Sequence, residues 1–248
     1  MLRRTLQYLA AVDFPWRVFV ADSSDAVSRE ENLSTVTCVA GRLDVGWLAV
    51  DAPFPGKCVR MLNRAATPYA VICGDDDFLM PDTLRAGIEY LGEHPDFSCA
   101  MGITVTMRMH RAGRCYALPG RSIVDDSPVV RFRRLASNWF STFSGVYRTR
   151  DLRELISTVD AHTDYYRARV FPELLLSHLT VLRGRFQFFP VVQNLCQDHE
   201  LNFNRQPAVI DPDSRAELYD RFQSCLAGHL EAAGATLDHA NQMVDGWY

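Results

Sequence analysis

The chain has 248 residues, 48% of them hydrophobic and 23% charged, which is enough for one large α/β domain or two small ones. Lys and Arg number 26 against 30 Asp and Glu, a net charge of -4, and this argues against a general nucleic-acid binder, which carries a basic excess. No apolar run approaches the ~20 residues of a membrane-spanning helix, and seven cysteines without a CxxC pair read as reduced thiols of a cytoplasmic protein, not as a disulfide or zinc framework.

Leu2, Leu6 and Leu9, with Tyr8, have the spacing of an amphipathic helix that ends near Val12-Asp13-Phe14-Pro15. Its apolar stripe leaves room for a peripheral membrane contact but is no signal peptide. Arg17-Val18-Phe19-Val20-Ala21 reads as a strand stopped by Asp22-Ser23-Ser24-Asp25. Residues 36–40 read as a second short strand, and Pro53, Pro55 and Gly56 as a loop before a helix from Lys57 to Ala66. Tyr69-Ala70-Val71-Ile72-Cys73 reads as a buried strand. Asp82 is placed to cap a helix from Pro81 to about Gly92, and Phe97 to Thr106 reads as another strand.

The second half is less regular. Residues 107–135 read as loops with one or two short strands, Ser141–Tyr147 as a strand and Thr149–Val159 as a helix. Pro172–Leu182 carries Leu174, Leu175, Leu179 and Leu182 on one helical face and stops at Gly184. Phe186–Val192 reads as a strand and residues 213–240 as helical. Strands alternating with helices imply an α/β fold with a mostly parallel, doubly wound sheet, and the lack of a linker or repeat implies a single domain over residues 1–248.

The sharpest local feature is Asp75-Asp76-Asp77, which follows the Tyr69–Cys73 run. Open α/β sheets bind ligands at the carboxyl ends of their strands. Three adjacent carboxylates repel one another unless solvent or a cation relieves them. The plain reading is a solvated acidic turn; the chemical one is a divalent-metal site for a phosphate-bearing ligand.

The run from Pro68 through Asp75-Asp76-Asp77 to Leu84 resembles the acidic-motif segment of inverting family 2 glycosyltransferases, which have the GT-A fold. Arg17 to Ser24 is similar to the family's second strand, Lys57 to Asn63 with Ala66 to the helix before the acidic strand, and Gly145-Val146-Tyr147-Arg148 to an acceptor-side strand. The resemblance covers roughly residues 1–200. It implies a nucleotide-sugar-binding half over residues 1–106 and an acceptor half over 107–248. It further implies a UDP-linked hexose donor and Mn²⁺ or Mg²⁺ as cofactor, held by Asp76 and Asp77. Asp22, Ser23, Lys57, Asp75 and Asp76 would bind the nucleotide sugar, with Asp22 on the base and Asp75 nearest the ribose. Inversion needs one general base to deprotonate the acceptor hydroxyl. Glu173, in a first helical turn, falls where the family places it, and Asp164 is the alternative. The acceptor is a glycan, a lipid or a small molecule that the sequence does not name.

The family opens with an apolar strand in the middle of its sheet, whereas this sequence starts on the helix that follows. Either the sequence begins downstream of the natural start or the sheet is rebuilt, with buried unpaired backbone groups costing ~1–3 kcal/mol each. The Gln-x-x-Arg-Trp signature of processive synthases is missing, which favours single transfer. A nucleotidyltransferase would want a Gly-rich basic loop near the start, and an Asp-nucleophile phosphatase a different motif on its first strand. The non-enzyme alternative is a degenerate glycosyltransferase-like domain that binds without turnover. Arg108, Arg111, Arg114 and Arg121 could line the path of an anionic acceptor. Phe132, Trp139 and Phe143 could stack on a sugar, although a solvated loop and core packing are the simpler assignments.

Overall fold

The computed structural model describes residues 1–108, 114–118, 120–164, 170–198 and 212–246. The chain opens with helix α1 (Leu2–Ala11), strand β1 (Val18–Asp22), α2 (Ala26–Val39), β2 (Val45–Ala49) and α3 (Phe54–Leu62). Then come β3 (Tyr69–Ala70), β4 (Asp77–Leu79), α4 (Pro81–Glu93), β5 (Phe97–Arg108), β6 (Arg114–Leu118), α5 (Pro128–Ser137) and β7 (Val146–Arg148). Helices α6 (Thr149–His162) and α7 (Val170–Arg183), strand β8 (Arg185–Asp198), and helices α8 (Pro212–Ala232) and α9 (Leu237–Asp245) complete it.

The α/β class is as expected, but the sheet is mixed, not mostly parallel. Strands β1 and β2 form a parallel pair of their own. The larger sheet runs β3-β7-β5-β8-β4, with β6 hairpinned onto β5. Within it only β5 and β8 run parallel. Among the described residues β1 pairs with β2 alone, so its other edge carries no ladder. Strand β8, from the second half of the chain, pairs with β4 and β5 from the first.

Alternation along β5 feeds two cores. Cys99 and Met101 join the main core with Phe132, Tyr147, Leu175, Leu179, Phe186 and Phe222. Ala100 faces the other way, onto Leu84 and Leu91 of α4. A third cluster holds α1 and α2 against β1 through Leu6, Leu9, Val20, Val36 and Val39. The leucine stripe of α1 is therefore buried inside the protein. No helix among the described residues is long and apolar enough to cross a membrane.

Several boundaries differ from the sequence reading, each for a local reason. Residues 36–39 belong to α2 and not to a strand, and Ala40 is the helix's C-cap. Asp25 caps that helix by accepting from the amides of Val27 and Ser28, both at 3.0 Å. The β-branched run is tolerated because Val36 and Val39 bury one turn apart, while Thr35 and Thr37 bond back to carbonyls four residues earlier. Pro55 and Gly56 sit in the first turn of α3, where a missing N–H costs nothing. Asp82 is not the cap of α4. Met80 holds that place, Pro81 opens the helix, and Asp82 pairs with Arg85 at 2.9 Å. The 107–135 segment contains α5, capped by Ser127 and opened by Pro128. Only Tyr69 and Ala70 of the expected 69–73 strand are paired, and only Val146–Arg148 of 141–147. The helical region after residue 212 is broken by Gly234, whose φ of +96° a side-chain-bearing residue rarely adopts. The seven cysteines are all free, with Cys99 and Cys225 buried and Cys38 exposed.

The β5–β8 ladder is irregular around Gly102, with register shifts on both sides of Ile103. A side chain at 102 would meet the Val191 carbonyl oxygen, and the Gln193 and Thr83 side chains at 2.9 Å. Gly102→Ala is expected to destabilise the fold by about 1–3 kcal/mol, visible as a lower denaturant midpoint at unchanged slope. An unaltered midpoint would mean that the two strands are looser than they look.

Candidate functional site

Strand β1 ends by delivering Asp22 to the sheet edge, where it is 4% exposed. Its carboxylate accepts from the Ser24 amide at 2.9 Å, the Asn32 amide at 3.1 Å and the Trp47 indole at 3.2 Å. Burial alone would raise its pKa, but these donors outweigh it and hold the carboxyl below its ordinary range. Next to it, Ser23 accepts from the Lys57 ammonium at 2.9 Å, which ties α3 to the end of β1. Asn32, Trp47 and the Lys57–Ser23 bond thus organise one wall of the site.

The acidic triplet forms the other wall, on a turn between β3 and β4. The turn and the strand after it are held by α1 and β8. Thr5 of α1 donates to the Asp75 carbonyl at 2.7 Å, and Tyr8 to the Leu79 carbonyl at 3.0 Å. Gln197 of β8 donates to the Asp76 carbonyl at 2.7 Å. Burial, reinforced by the charge of Asp76, raises the pKa of Asp75, and Lys57 works against that rise. Lys57 therefore acts on both walls, on Ser23 directly and on Asp75 through its field.

Asp77 lies within β4 and is 7% exposed. Burial raises its pKa; the Cys196 thiol and the Asn194 amide on β8 oppose this by hydrogen bonding, and the charge of Asp76 adds to it. The carboxylates of Asp76 and Asp77 converge over Gly74. A Cβ placed there would lie 2.7 Å from Asp76 Oδ1 and 3.2 Å from Asp77 Oδ2. Asp77 Oδ1 is buried without a hydrogen-bond partner among the described residues. Among those residues no group of three His, Cys, Asp or Glu side chains comes together as a metal cage. Two carboxylates whose Asp76 Oδ1 and Asp77 Oδ2 converge still suit a hard cation such as Mg²⁺, which takes one or two carboxylates and fills its shell with ligand phosphate and water.

Glu173 lies in the first turn of α7, partly buried, and accepts a hydrogen bond from Ser141. Burial raises its pKa, and the Ser141 bond offsets only part of that. Asp164 follows the C-terminal end of α6. Asp22, Ser23, Lys57 and Asp75 are thus brought together, as are Asp76 and Asp77, while Glu173 is held separately by Ser141. Phe132 is core, and Phe143 packs on Phe54 at 5.3 Å. Arg121 donates to the Arg134 carbonyl, and Arg108 stacks over Tyr116 and pairs with Asp198 at 3.6 Å. Arg111 lies outside the described residues. Asn194, Cys196 and Gln197 escaped the sequence reading, although polar residues at 193, 194 and 197 in an apolar stretch were the available signal.

The raised pKa of Glu173 has a stability consequence. A carboxyl with a raised folded pKa supports the fold fully while protonated, below its unfolded value, and that support is lost as pH rises through the folded value. Glu173→Gln is therefore expected to raise Tm increasingly as pH rises above the ordinary carboxyl range. Calorimetry from acid to neutral pH checks it, and an unchanged difference would show that the ionised side chain stays solvated.

No family model and no curated protein sequence matches the chain. Solved structures do. The chain is similar to TarS residues 1–349 of S. aureus in complex with UDP-GlcNAc, at 16% identity and a TM-score of 0.67, over 99% of this chain and 67% of that one. The same protein in complex with UDP gives 14% identity and a TM-score of 0.66, over 99% and 66%. The chain thus spans about two thirds of those structures, and at this identity what it shares with them is the fold.

Proposed function

We propose that the chain is a metal-dependent, inverting glycosyltransferase of the GT-A type that uses a nucleotide sugar, with UDP carrying a hexose. The observation that carries this reading is the convergence of Asp76 and Asp77 over Gly74 at the edge of a sheet. It is supported by a fold shared with a protein solved with UDP-GlcNAc bound. Asp22, Ser23, Lys57 and Asp75 take the nucleoside side, and residues 107–248 supply most of the acceptor side. Asp76 and Asp77 would hold Mn²⁺ or Mg²⁺, which would neutralise the departing diphosphate. Lys57 adds positive charge at the opposite wall.

Glu173 is assigned as general base and Asp164 as the alternative. A carboxyl raised by burial is a stronger base than a solvated one and suits proton removal from a sugar hydroxyl. Ser141 fixes its orientation. The alternative is a domain that binds a nucleotide sugar without turnover. Metal-dependent release of sugar from UDP-GlcNAc separates the two.

Melting with UDP, GDP and dTDP, each with and without Mn²⁺, tests the reading. A nucleotide at about 100 times its Kd is expected to stabilise the fold by about 2.7 kcal/mol, and only with the metal present. Glu173→Gln is expected to lower turnover by about 10²–10⁴-fold while leaving the UDP shift intact. Joint loss of both would make Glu173 structural. If no nucleotide shifts the transition with metal, the glycosyltransferase reading falls.

A further inference from the structure

Strand β8 brings three buried amides, Gln193, Asn194 and Gln197, behind the acidic turn. Buried polar side chains persist where they have partners, so their partners say what they are for. Gln193 serves the sheet, accepting from the Gly102 amide at 2.8 Å and donating to the Ser144 carbonyl. Gln197 holds the turn through the Asp76 carbonyl. Asn194 is different because it reaches a carboxylate. Its Nδ2 donates to Asp77 Oδ2 at 3.2 Å and to Ser144 Oγ at 3.3 Å.

The register explains the reach. Asp77 stands opposite Cys196, and Leu79 opposite Asn194, so Asn194 meets Asp77 along the diagonal of one face. Asn194 is 2% exposed, and water does not compete for the bond. An amide is a neutral donor. It can fix a carboxylate without cancelling its charge, as Lys or Arg at this position would. The oxygen it holds, Asp77 Oδ2, is the one that meets Asp76 Oδ1 over Gly74, so the amide fixes the Asp77 oxygen on the side of Asp76.

We propose that Asn194 is the positioning residue of this site, holding one oxygen of Asp77 so that the carboxylate stays turned toward a divalent cation shared with Asp76. This rests on the reading of the acidic turn as a metal-assisted nucleotide site. Cation binding then depends on β8, a strand that contributes no charge to the site through this residue. Ser144 supports the same amide from the segment before β7.

The test is the Mn²⁺ concentration that gives half of the UDP-dependent rise in Tm. Asn194→Leu keeps the side-chain size and removes the donor. It is expected to raise that concentration about 10- to 100-fold, the range for a hydrogen bond to a charged group. A merely structural Asn194 would lower the ligand-free Tm and leave the half-effect concentration where it was, and that result overturns the proposal. Ser144→Ala keeps the question open to measurement if Asn194→Leu fails to melt cooperatively. It is expected to move the half-effect concentration the same way by a smaller factor, and no movement counts against the proposal. A wild-type chain with no Mn²⁺-dependent response overturns the proposed function itself. A responsive wild type with a matching Asn194→Leu variant overturns only the role of Asn194.

Discussion

Everything near the acidic turn depends on β8 running alongside β5 and then meeting β4. The parallel β5–β8 ladder is the long seam of the larger sheet, and it carries residues 194–197 to the back of a turn encoded more than a hundred positions earlier. Without it Asp77 would be a buried carboxylate with neither Asn194 nor Cys196 beside it. Leaving a buried charge uncompensated costs far more than the usual net value of a hydrogen bond. The same strand ties down Asp76 through Gln197. The fold therefore sets the direction of the acidic side chains from behind, and α1 sets the backbone of the turn from the side through Thr5 and Tyr8.

The two walls of the site treat their carboxylates oppositely. Asp22 is surrounded by donors and stays readily ionised, which suits a permanent hydrogen-bond acceptor. Asp75 and Asp77 are buried near the charge of Asp76, and both effects push their carboxyls above the ordinary range. Lys57 stands between these regimes. At Asp22 the hydrogen bonds from Ser24, Asn32 and Trp47 outweigh burial, whereas at Asp77 burial and the charge of Asp76 outweigh Cys196, Asn194 and Gly74.

Much of the first wall was legible in the sequence because it is local. Asp22 and Ser23 close a strand that the apolar run Val18–Ala21 announces, and the acidic triplet marks a turn by its charge alone. The pairing partners were not legible. Whether Val36–Val39 extends or coils depends on the burial of α1 against it, which no window of sequence contains. Likewise β4 was hidden inside the triplet, since Asp77 is a strand residue only because β8 lies beside it. Nothing local sets Asn194 apart; its meaning is set by a diagonal contact 117 positions away.

The distribution of thiols gives the chain a practical asymmetry. Cys99 is buried and its pKa is pushed well up by burial, and burial likewise pushes Cys58 to about 12 and Cys225 to about 11. Thiols of that kind react slowly with alkylating reagents, because the thiolate is the nucleophile. Cys38 on α2 and Cys115 on β6 are exposed. The native sequence thus presents two surface handles, one on the helix beside β1 and one on the hairpin of the large sheet. A pair of fluorophores attached there would report the spacing between those two regions in solution, with no residue of the acidic turn altered.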